Sequence, residues 1–230
     1  MTALHRILEP EVMDSPEDAY EYDLMDHREV NQIFCTDFFN ALNNAPTSLN
    51  LKAASIILDI GTGTAQIPIA LCKDAKELNI KAIDLAGSML EIARKNIDEA
   101  GLQGQIKIEQ VDSKNLPYLD ESFHQVISNS IIHHIPRPME CFREMIRVTK
   151  KGGLLFVRDL LRPKSLIILQ EIVELHTQGA TPKQRALFTD SLHAALTQEE
   201  VAQMVESFGF DQATVKQTSN RHWTWSAIKS

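Results

Sequence analysis

Residues 55–64 of the chain read SIILDIGTGT, and the interpretation of the whole sequence starts from them. The apolar run 55–60 is short and ends at a glycine, which is typical of a strand buried on both faces. The glycines Gly61 and Gly63 predict a tight turn, and a helix is expected to follow to about Leu78. A strand, a turn and a helix in this order favour a parallel sheet with helical crossovers.

The same alternation continues along the chain. Further strands are expected at residues 81–85, 106–111, 126–129 and 154–157. The helix after the second strand is expected to begin with a capping box formed by Ser88 and Glu91 and to end at Gly101. Segments 213–217 and 222–228 are expected to pair as antiparallel strands. The predicted fold class is α/β: a three-layer α/β/α sandwich with a seven-strand, mostly parallel sheet and a C-terminal antiparallel hairpin.

Composition and charge exclude several classes of protein. The 230 residues are 43% hydrophobic and 23% charged, which is typical of a globular domain rather than a disordered chain. No apolar run approaches the ~20 residues of a membrane span, and a secretory signal is not indicated. The three cysteines are too far apart for a zinc motif or a disulfide framework. The net charge of −8 disfavours nucleic acid and anionic membranes as partners, and a cytoplasmic protein is expected.

Polar residues follow the predicted strands at their carboxyl ends, which is the edge of a parallel sheet where ligands bind. Asp59, Asp84 and Asp112 end three strands, Ser113 follows the third, and Asn129 ends the fourth. Asp84 is placed to accept two hydrogen bonds from a ribose diol, because a carboxylate accepts several donors at once. Asp112 or Ser113 could meet an adenine edge. Together these residues predict a pocket for an adenosine-bearing ligand.

The glycine pattern discriminates between such ligands. A dinucleotide-binding fingerprint requires a third glycine where this chain has Gln66, and no phosphate-binding P-loop is present. At this point the chain resembles the class I, Rossmann-like S-adenosylmethionine-dependent methyltransferases of the type 11/25 kind. Asp59 with the two following glycines matches the first motif of that family, with Ala65 in the third small position. Asp84 matches its second motif and Asp112 its third, and the resemblance covers roughly residues 50–160.

The resemblance implies S-adenosylmethionine as the cofactor and assigns roles to the residues at the strand ends. The methionine end would lie at Asp59 and the glycine turn, the ribose at Asp84, and the adenine near Asp112. Residues 1–50 would form an N-terminal helical lid, and residues 51–230 the methyltransferase domain with a helical cap insert at about 160–196. The implied cofactor-binding residues are Asp59, Gly61, Thr62, Gly63, Asp84, Leu85, Met89, Asp112, Ser113 and Asn129, with Tyr22 and Met25 of the lid as further candidates.

The resemblance also implies transfer of a methyl group from the sulfonium to a small-molecule acceptor. A general base is needed only where the acceptor must lose a proton, so the catalytic residue stays unknown. His133 and His134, after the fourth strand, and Asp159, at the end of the fifth, are candidates. No metal site is predicted, because two adjacent histidines without a second ligand pair do not form one.

Several alternatives stay open at the level of sequence. The acceptor could be a tRNA base, if basic residues of the 160–196 insert cluster, or a quinone or lipid-like molecule, because that insert is also apolar. The chain could instead bind S-adenosylmethionine without catalysis. A nicotinamide-dependent reductase is disfavoured by the missing third glycine. The oligomeric state and the acceptor atom are left undetermined.

Overall fold

The computed structural model of the protein describes residues 4–12, 14–45, 55–75 and 77–230. Its strands within these residues are β1 (Ile56–Ile60), β2 (Asn79–Asp84), β3 (Ile106–Gln110), β4 (Phe123–Asn129), β5 (Thr149–Leu160), β6 (Val215–Gln217) and β7 (His222–Ile228). They form one sheet in the order β3-β2-β1-β4-β5-β7-β6. β1 pairs in parallel with both β2 and β4, whereas β6 and β7 are antiparallel. The predicted α/β class, with a mostly parallel seven-strand sheet and a C-terminal antiparallel pair, is confirmed.

Helices connect the strands and flank the sheet. The helices are α1 (Pro16–Asp23), α2 (Arg28–Asn43), α3 (Gln66–Asp74), α4 (Gly87–Ala100), α5 (Pro138–Val148), α6 (Leu166–His176), α7 (Pro182–Ala194) and α8 (Gln198–Ser207). A short 3₁₀ helix, Ile132–His134, follows β4. No helix of the described residues is both long and apolar enough to cross a membrane.

The order of the strands determines where a ligand can bind. From β1 the chain adds β2 and β3 on one side, and then returns to add β4 on the other side of β1. The carboxyl ends of β1 and β4 therefore flank the point at which the winding direction reverses. In open α/β sheets this switch point opens a crevice that receives ligands.

Contacts within the described residues divide the chain into two compact units. The glycine-loop unit lies within Val12–Asn129, Met139–Val157 and Ser226–Ser230. Its main core joins buried side chains of α2, such as Phe34 and Phe38, to those of the strands and of α3 and α4. Because these two phenylalanines are fully buried, α2 is a part of the core of this unit.

The histidine unit lies within Met1–Glu11, Ser130–Pro138 and Arg158–Trp225. Its apolar cluster combines Leu160 with buried side chains of α6 and α7, among them Leu169 and Leu192. Trp223 and Trp225 of β7 are fully buried. Both α6 and α7 fall within residues 160–196, which are therefore largely helical, with Gly179 between the two helices and Pro182 at the start of α7.

Two local predictions are wrong. α3 ends at Asp74 rather than near Leu78, because the backbone at Ala75 is already extended. α4 begins at Gly87, so Ser88 lies inside its first turn and makes no capping box with Glu91. The amide and hydroxyl of Ser88 both donate instead to Oδ1 of Asp14, at 2.9 and 2.7 Å. A carboxylate from the N-terminal segment thus caps this helix.

Other helix starts follow the sequence signals. Ser15 caps α1 through its side chain, with Pro16 at the first helical position. Thr197 and Glu200, which have the three-residue spacing of a capping box, form one at α8. The predicted boundary between residues 50 and 51, which separates lid from domain, lies outside the described residues.

Candidate functional site

The turn after β1 has a backbone that only a few residue types adopt easily. Gly61 and Gly63 have φ of 73° and 54°, and Ala65, which precedes α3, has φ of 64°. Glycine populates this left-handed region at little cost. The amides of Gly61 and Thr62 donate to the carbonyl of Ile83, at 2.8 and 2.9 Å. The turn is therefore fixed to β2, and its backbone is open to close approach by a ligand.

Asp84, at the end of β2, organises the same turn. Its Oδ2 accepts a hydrogen bond from the amide of Gly63 at 2.8 Å, and its Oδ1 accepts one from the amide of Ala86 at 2.9 Å. Burial raises the pKa of this carboxyl, and hydrogen bonds from the backbone amides of Ala86, Gly63 and Leu85 oppose that increase. Because each carboxylate oxygen has two acceptor sites, Asp84 retains the capacity to accept hydrogen bonds from a ligand.

Asp59 is a buried carboxyl at the end of β1, with 2% of the residue exposed. Burial raises its pKa to about 7, the charge of Asp84 adds to this effect, and the nearby Thr62 side chain offsets part of it. Within the described residues, Oδ2 of Asp59 has no hydrogen-bond partner. A buried acceptor in this state is costly unless a ligand or water supplies a donor.

Asn129 ends β4, the strand next to β1 at the switch point. Its Oδ1 is also buried and lacks a hydrogen-bond partner in the described part of the chain. The two strands are held in register where Ile60 pairs with Ser128, and the Ser128 hydroxyl donates to the carbonyl of Ile60 at 2.9 Å. Two unsatisfied acceptors therefore lie at the ends of neighbouring strands, where they can receive donors from a ligand.

The side chains beside Asp84 form a small apolar group. Met89 is buried with Ala19 and Ala86, and Tyr22 packs against these residues. A Cβ at Gly63 would lie 3.7 Å from the Tyr22 ring, so the end of α1 reaches the glycine turn. Burial and the nearby carboxylates raise the pKa of Tyr22 to about 12, which keeps its hydroxyl protonated near neutral pH. Leu85 is 37% exposed.

Met25 lies apart from this apolar group. It lines a cavity of about 690 Å³ together with residues from the start of α2 and the outer side of α3. Asp23 and Asn96 border the same cavity, and the Asn96 amide donates to Oδ1 of Asp23 at 2.9 Å. The structure brings Tyr22 to the glycine turn, and it places Met25 at the border of this cavity.

Asp112 and Ser113 follow β3. Burial would raise the pKa of Asp112, but hydrogen bonds and the charge of Lys114 lower it. The Lys114 ammonium lies 2.9 Å from Oδ1, which also accepts from the Lys114 amide. Ser113 hydrogen-bonds the Cys141 side chain. Asp112 is thus ionised and still partly exposed, so it can accept a further hydrogen bond.

Two residues that sequence patterns did not indicate hold the segment after β2. Asp14 caps α4 through Ser88, as described above, and the Gln110 side chain donates to the carbonyl of Leu85 at 2.9 Å. Each belongs to an element far from residues 85–88 in the chain. No local motif could have found them, because a single acid or amide has no characteristic spacing.

His133, His134 and Asp159 belong to the histidine unit. Nδ1 of His133 lies 2.5 Å from Oδ1 of Asp159, and Oδ2 of Asp159 accepts hydrogen bonds from the amides of Ile132 and His133. Burial disfavours the charged forms of both side chains, but the opposite charge and the hydrogen bond of each partner favour them. The pKa of His133 is consequently raised and that of Asp159 lowered. The structure brings these two catalytic candidates together as a buried pair.

His134 has a different environment. Burial and the neighbouring His133 lower its pKa to about 3, so its ring is neutral at physiological pH. Its Nδ1 lies 3.2 Å from Oε1 of Glu9, a residue that sequence patterns did not indicate. Burial raises the pKa of Glu9.

The segment that carries Glu9 is tied to the rest of the histidine unit. The Arg6 guanidinium donates to the carbonyls of Ala194, His133 and Ile135, at 2.7, 3.0 and 3.0 Å. The amide of Ile7 donates to the carbonyl of His193 at 3.1 Å. These four hydrogen bonds hold the N-terminal segment beside α7 and the 3₁₀ helix.

Comparison with known proteins gives the chain a family. The model of a family described as a methyltransferase domain matches residues 51–214. Demethylmenaquinone methyltransferase of Lactobacillus johnsonii is 32% identical over 121 residues, which are 52% of this chain and 50% of that protein. The chain spans about half, or less, of the length of several curated relatives that it matches.

Solved structures share the fold over most of the chain. A crystal structure from Methanococcus maripaludis, provisionally assigned as an S-adenosylmethionine-dependent methyltransferase, has a TM-score of 0.70 at 20% identity and covers 97% of each chain. The plantazolicin methyltransferase BamL, solved in complex with a triazolic desmethylPZN analog and S-adenosylhomocysteine, has a TM-score of 0.67 at 17% identity and covers 87% of this chain and 69% of its own. At such low sequence identities, these comparisons show that the fold is shared.

Proposed function

Because the chain belongs to the class I S-adenosylmethionine-dependent methyltransferase family, we propose that it transfers a methyl group from this cofactor to a small-molecule acceptor. The observation that carries the proposal is the pair of buried, unsatisfied acceptors at the switch point, Oδ2 of Asp59 and Oδ1 of Asn129. The methionine end of the cofactor bears an ammonium group, which donates hydrogen bonds to acceptors of this kind. These residues therefore fit the cofactor.

The remaining parts of the cofactor also match side chains of the glycine-loop unit. We assign the ribose hydroxyls to Asp84, whose carboxylate already orders the turn and still has acceptor capacity. Met89 and Leu85 would pack on the adenine, and Asp112 would accept from its amino group, with Ser113 beside it. Gly61, Thr62 and Gly63 would supply backbone contacts to the methionine end, where the positive φ angles favour close approach.

Helix α1 would complete the pocket through Tyr22. Its ring packs against Met89 and Ala86 and faces Gly63, so it would exclude water from this side of the cofactor. For Met25 the structure gives a position at the 690 Å³ cavity, and its lid role stays a prediction. Deletion of residues 1–45 would be a poor test of a lid, because α2 supplies core side chains. Replacement of Tyr22 alone avoids this problem.

S-adenosylmethionine supplies a methyl group already activated by the sulfonium to which it is bonded. The protein then has to align the acceptor, and orientation alone can contribute about 7–11 kcal/mol to lowering the barrier. A base is required where the acceptor loses a proton. The pKa of His134 is lowered to about 3, which makes its ring a weak base, and His133 is already hydrogen-bonded to Asp159. A catalytic role for any of these three residues stays a prediction.

A quinone-like acceptor is the second, narrower candidate. The relative from Lactobacillus johnsonii is named for demethylmenaquinone, and α6 exposes large apolar side chains. Leu166, Ile167 and Leu175 are 57%, 68% and 57% exposed. Large exposed apolar patches commonly mark binding surfaces, and Leu166 and Ile167 are neighbours at the start of this helix. The net charge of −8 argues against a nucleic acid acceptor.

Calorimetric titration with S-adenosylmethionine, S-adenosylhomocysteine and NADH in parallel tests the cofactor assignment. Binding of the first two, and none of NADH, is expected. Binding of NADH alone would overturn the proposal and favour a reductase. Conversion of S-adenosylmethionine to S-adenosylhomocysteine is then measured with a demethylmenaquinone analogue, a panel of phenols and thiols, and tRNA. Cofactor binding without turnover on any acceptor would indicate a non-catalytic binding protein, and turnover on tRNA alone would contradict a small-molecule acceptor.

A further inference from the structure

Three potential metal-ligand atoms of the histidine unit lie close together. Oε1 of Glu9 lies 3.6 Å from Nε2 of His133 and 3.2 Å from Nδ1 of His134. All three atoms lie within 4.8 Å of one another. We call Glu9, His133 and His134 the His–Glu cluster.

Two of the distances within the His–Glu cluster are close to those between ligands of one metal ion. A tetrahedral zinc ion has bonds of about 2.0–2.1 Å to nitrogen and 2.0–2.2 Å to carboxylate oxygen, which places its ligands about 3.3 Å apart. The two measured distances from Glu9 fall on either side of this value. Two imidazoles and one carboxylate are also a frequent ligand set for zinc and other divalent transition metals.

Each of the two imidazoles is held by a hydrogen bond at one ring nitrogen, as metal-bound histidines are. Nδ1 of His133 is hydrogen-bonded to Asp159 at 2.5 Å, and its other ring nitrogen, Nε2, lies 3.6 Å from Oε1 of Glu9. The His134 ring donates to the carbonyl of Pro10, which fixes the proton on the nitrogen other than Nδ1. Metal-bound histidines in proteins almost always donate their second ring N–H to a carboxylate or a carbonyl in this way.

The carboxylate is also held in place. Oε2 of Glu9 accepts a hydrogen bond from the Ser191 hydroxyl at 3.3 Å, which leaves Oε1 for the cluster. The Glu9 side chain is 10% exposed, and those of His133 and His134 are 4% and 20% exposed. The three ligand positions therefore lie in a largely dry environment.

Two acceptor atoms of the cluster have no hydrogen-bond donor among the described residues. Oε1 of Glu9 and Nδ1 of His134 make no hydrogen bond among the described residues. Both are acceptors, and they face each other at 3.2 Å. Two buried acceptors at this distance repel unless a cation or a proton lies between them.

We propose that Glu9, His133 and His134 bind one divalent transition-metal ion of the zinc type, with a fourth position open to water or a small ligand. Three protein ligands and an open position distinguish such sites from closed structural zinc sites, which have four protein ligands. The metal would satisfy both facing acceptors. The sequence could not indicate this site, because Glu9 is more than a hundred residues away from the two histidines in the chain.

Metal binding is tested on the full chain after treatment with a chelator. Calorimetric titration with zinc is expected to give one ion per chain. Glu9→Gln and His134→Ala should weaken zinc binding at least about tenfold, since loss of an outer-shell partner already costs about 10–100-fold. Two exposed residues provide matched controls, Glu17→Gln and His5→Ala, which should bind zinc as the unaltered protein does.

Cobalt provides a readout that needs no variant. Visible absorption of the cobalt-loaded protein should show intense bands of a four- or five-coordinate ion, and zinc should displace them. No saturable zinc binding would overturn the proposal and indicate that a proton occupies the cluster. Zinc binding that persists unchanged in Glu9→Gln and His134→Ala would also overturn it, by locating the ion elsewhere. Circular dichroism of each variant separates loss of a ligand from loss of the fold.

Discussion

Buried polar groups are arranged differently in the glycine-loop unit and the histidine unit. In the former, Asp59 and Asn129 each have a buried acceptor atom that no described residue satisfies. In the latter, the Asp159 carboxylate is satisfied by His133 and by the amide of Ile132. The acceptors of the glycine-loop unit can bind hydrogen-bond donors of a ligand. The hydrogen bonds of Asp159 in the histidine unit stabilise the folded state.

The difference teaches how to separate a binding residue from a structural one. Removing a carboxyl whose partner is an absent ligand should cost affinity and leave the fold intact, or even stabilise it. Removing a carboxyl whose partners are buried protein groups should cost stability, because those groups are then left unsatisfied. The His–Glu cluster lies beside Asp159 and combines both situations, since His133 is a partner of that residue and a proposed metal ligand.

The largest effect is expected for Asp159→Ala. Loss of this carboxylate leaves the His133 ring and the Ile132 amide without their buried partner, so the free energy of unfolding should fall by about 3–5 kcal/mol. Urea denaturation at neutral pH, in the presence of a chelator, measures the change. Asp190→Ala, at an exposed position in the same unit, should alter stability by less than about 0.5 kcal/mol. Equal values for the two variants would show that the pair around Asp159 does not support the fold.

Asp59→Asn should have the opposite effect on stability. The folded-state pKa of Asp59 is raised from 3.8 to about 7 by burial, so the folded protein holds a proton that the unfolded chain releases above about pH 4. This residue therefore lowers stability progressively as pH rises from about 4 to 7, and the penalty is complete above that range. The asparagine variant should become relatively more stable with rising pH, by up to about 4 kcal/mol at pH 8.

Thermal or urea unfolding across this pH range measures the difference between the Asp59→Asn variant and the unaltered protein. Parallel stability profiles from pH 4 to 8 would contradict the raised pKa. S-adenosylhomocysteine should stabilise the unaltered protein more than the variant, because Asp59 is proposed to contact the ammonium group of this ligand.

A smaller effect, on binding, is expected for Asp84→Ala. Hydrogen bonds to a charged group contribute about 1.5–3 kcal/mol each, so the dissociation constant for S-adenosylhomocysteine should rise by about 10–100-fold. Asp98→Ala, an exposed carboxylate of α4, is the matched control. An affinity unchanged within about threefold, which corresponds to well under 1.4 kcal/mol, would show that the ribose assignment is wrong.

The smallest effects are expected at two helix caps, one in each unit. Ser15→Ala and Thr197→Ala each remove a side-chain cap and should each lower the free energy of unfolding by about 1 kcal/mol. Ser15→Ala loosens α1, which carries Tyr22, so it should also weaken binding of S-adenosylhomocysteine. Thr197→Ala should leave that affinity unchanged. Equal affinities in both variants would indicate that α1 takes no part in the cofactor pocket.

Local patterns were most informative where one short segment determines both backbone and chemistry. Residues 55–64 have a periodicity, two glycines and an acid within ten positions, and β1 and the turn formed where they were expected. The capping box at Thr197 is local in the same way, because its two residues are three apart. Ser88 and Glu91 have the same spacing, but the capping box predicted from it does not form, because Asp14 supplies the cap from 74 residues away.

The amino-acid sequence by itself determined the α/β class, the strand–turn–helix at Gly61 and Gly63, and the family. Each of these depends on hydrophobic periodicity or on spacings within one segment, which folding does not rearrange. Tertiary structure alone decided that Asp59 and Asn129 are left as unsatisfied acceptors, and that Glu9 meets His133 and His134. Burial and distance between remote segments produce these features, and both arise only when the chain has packed.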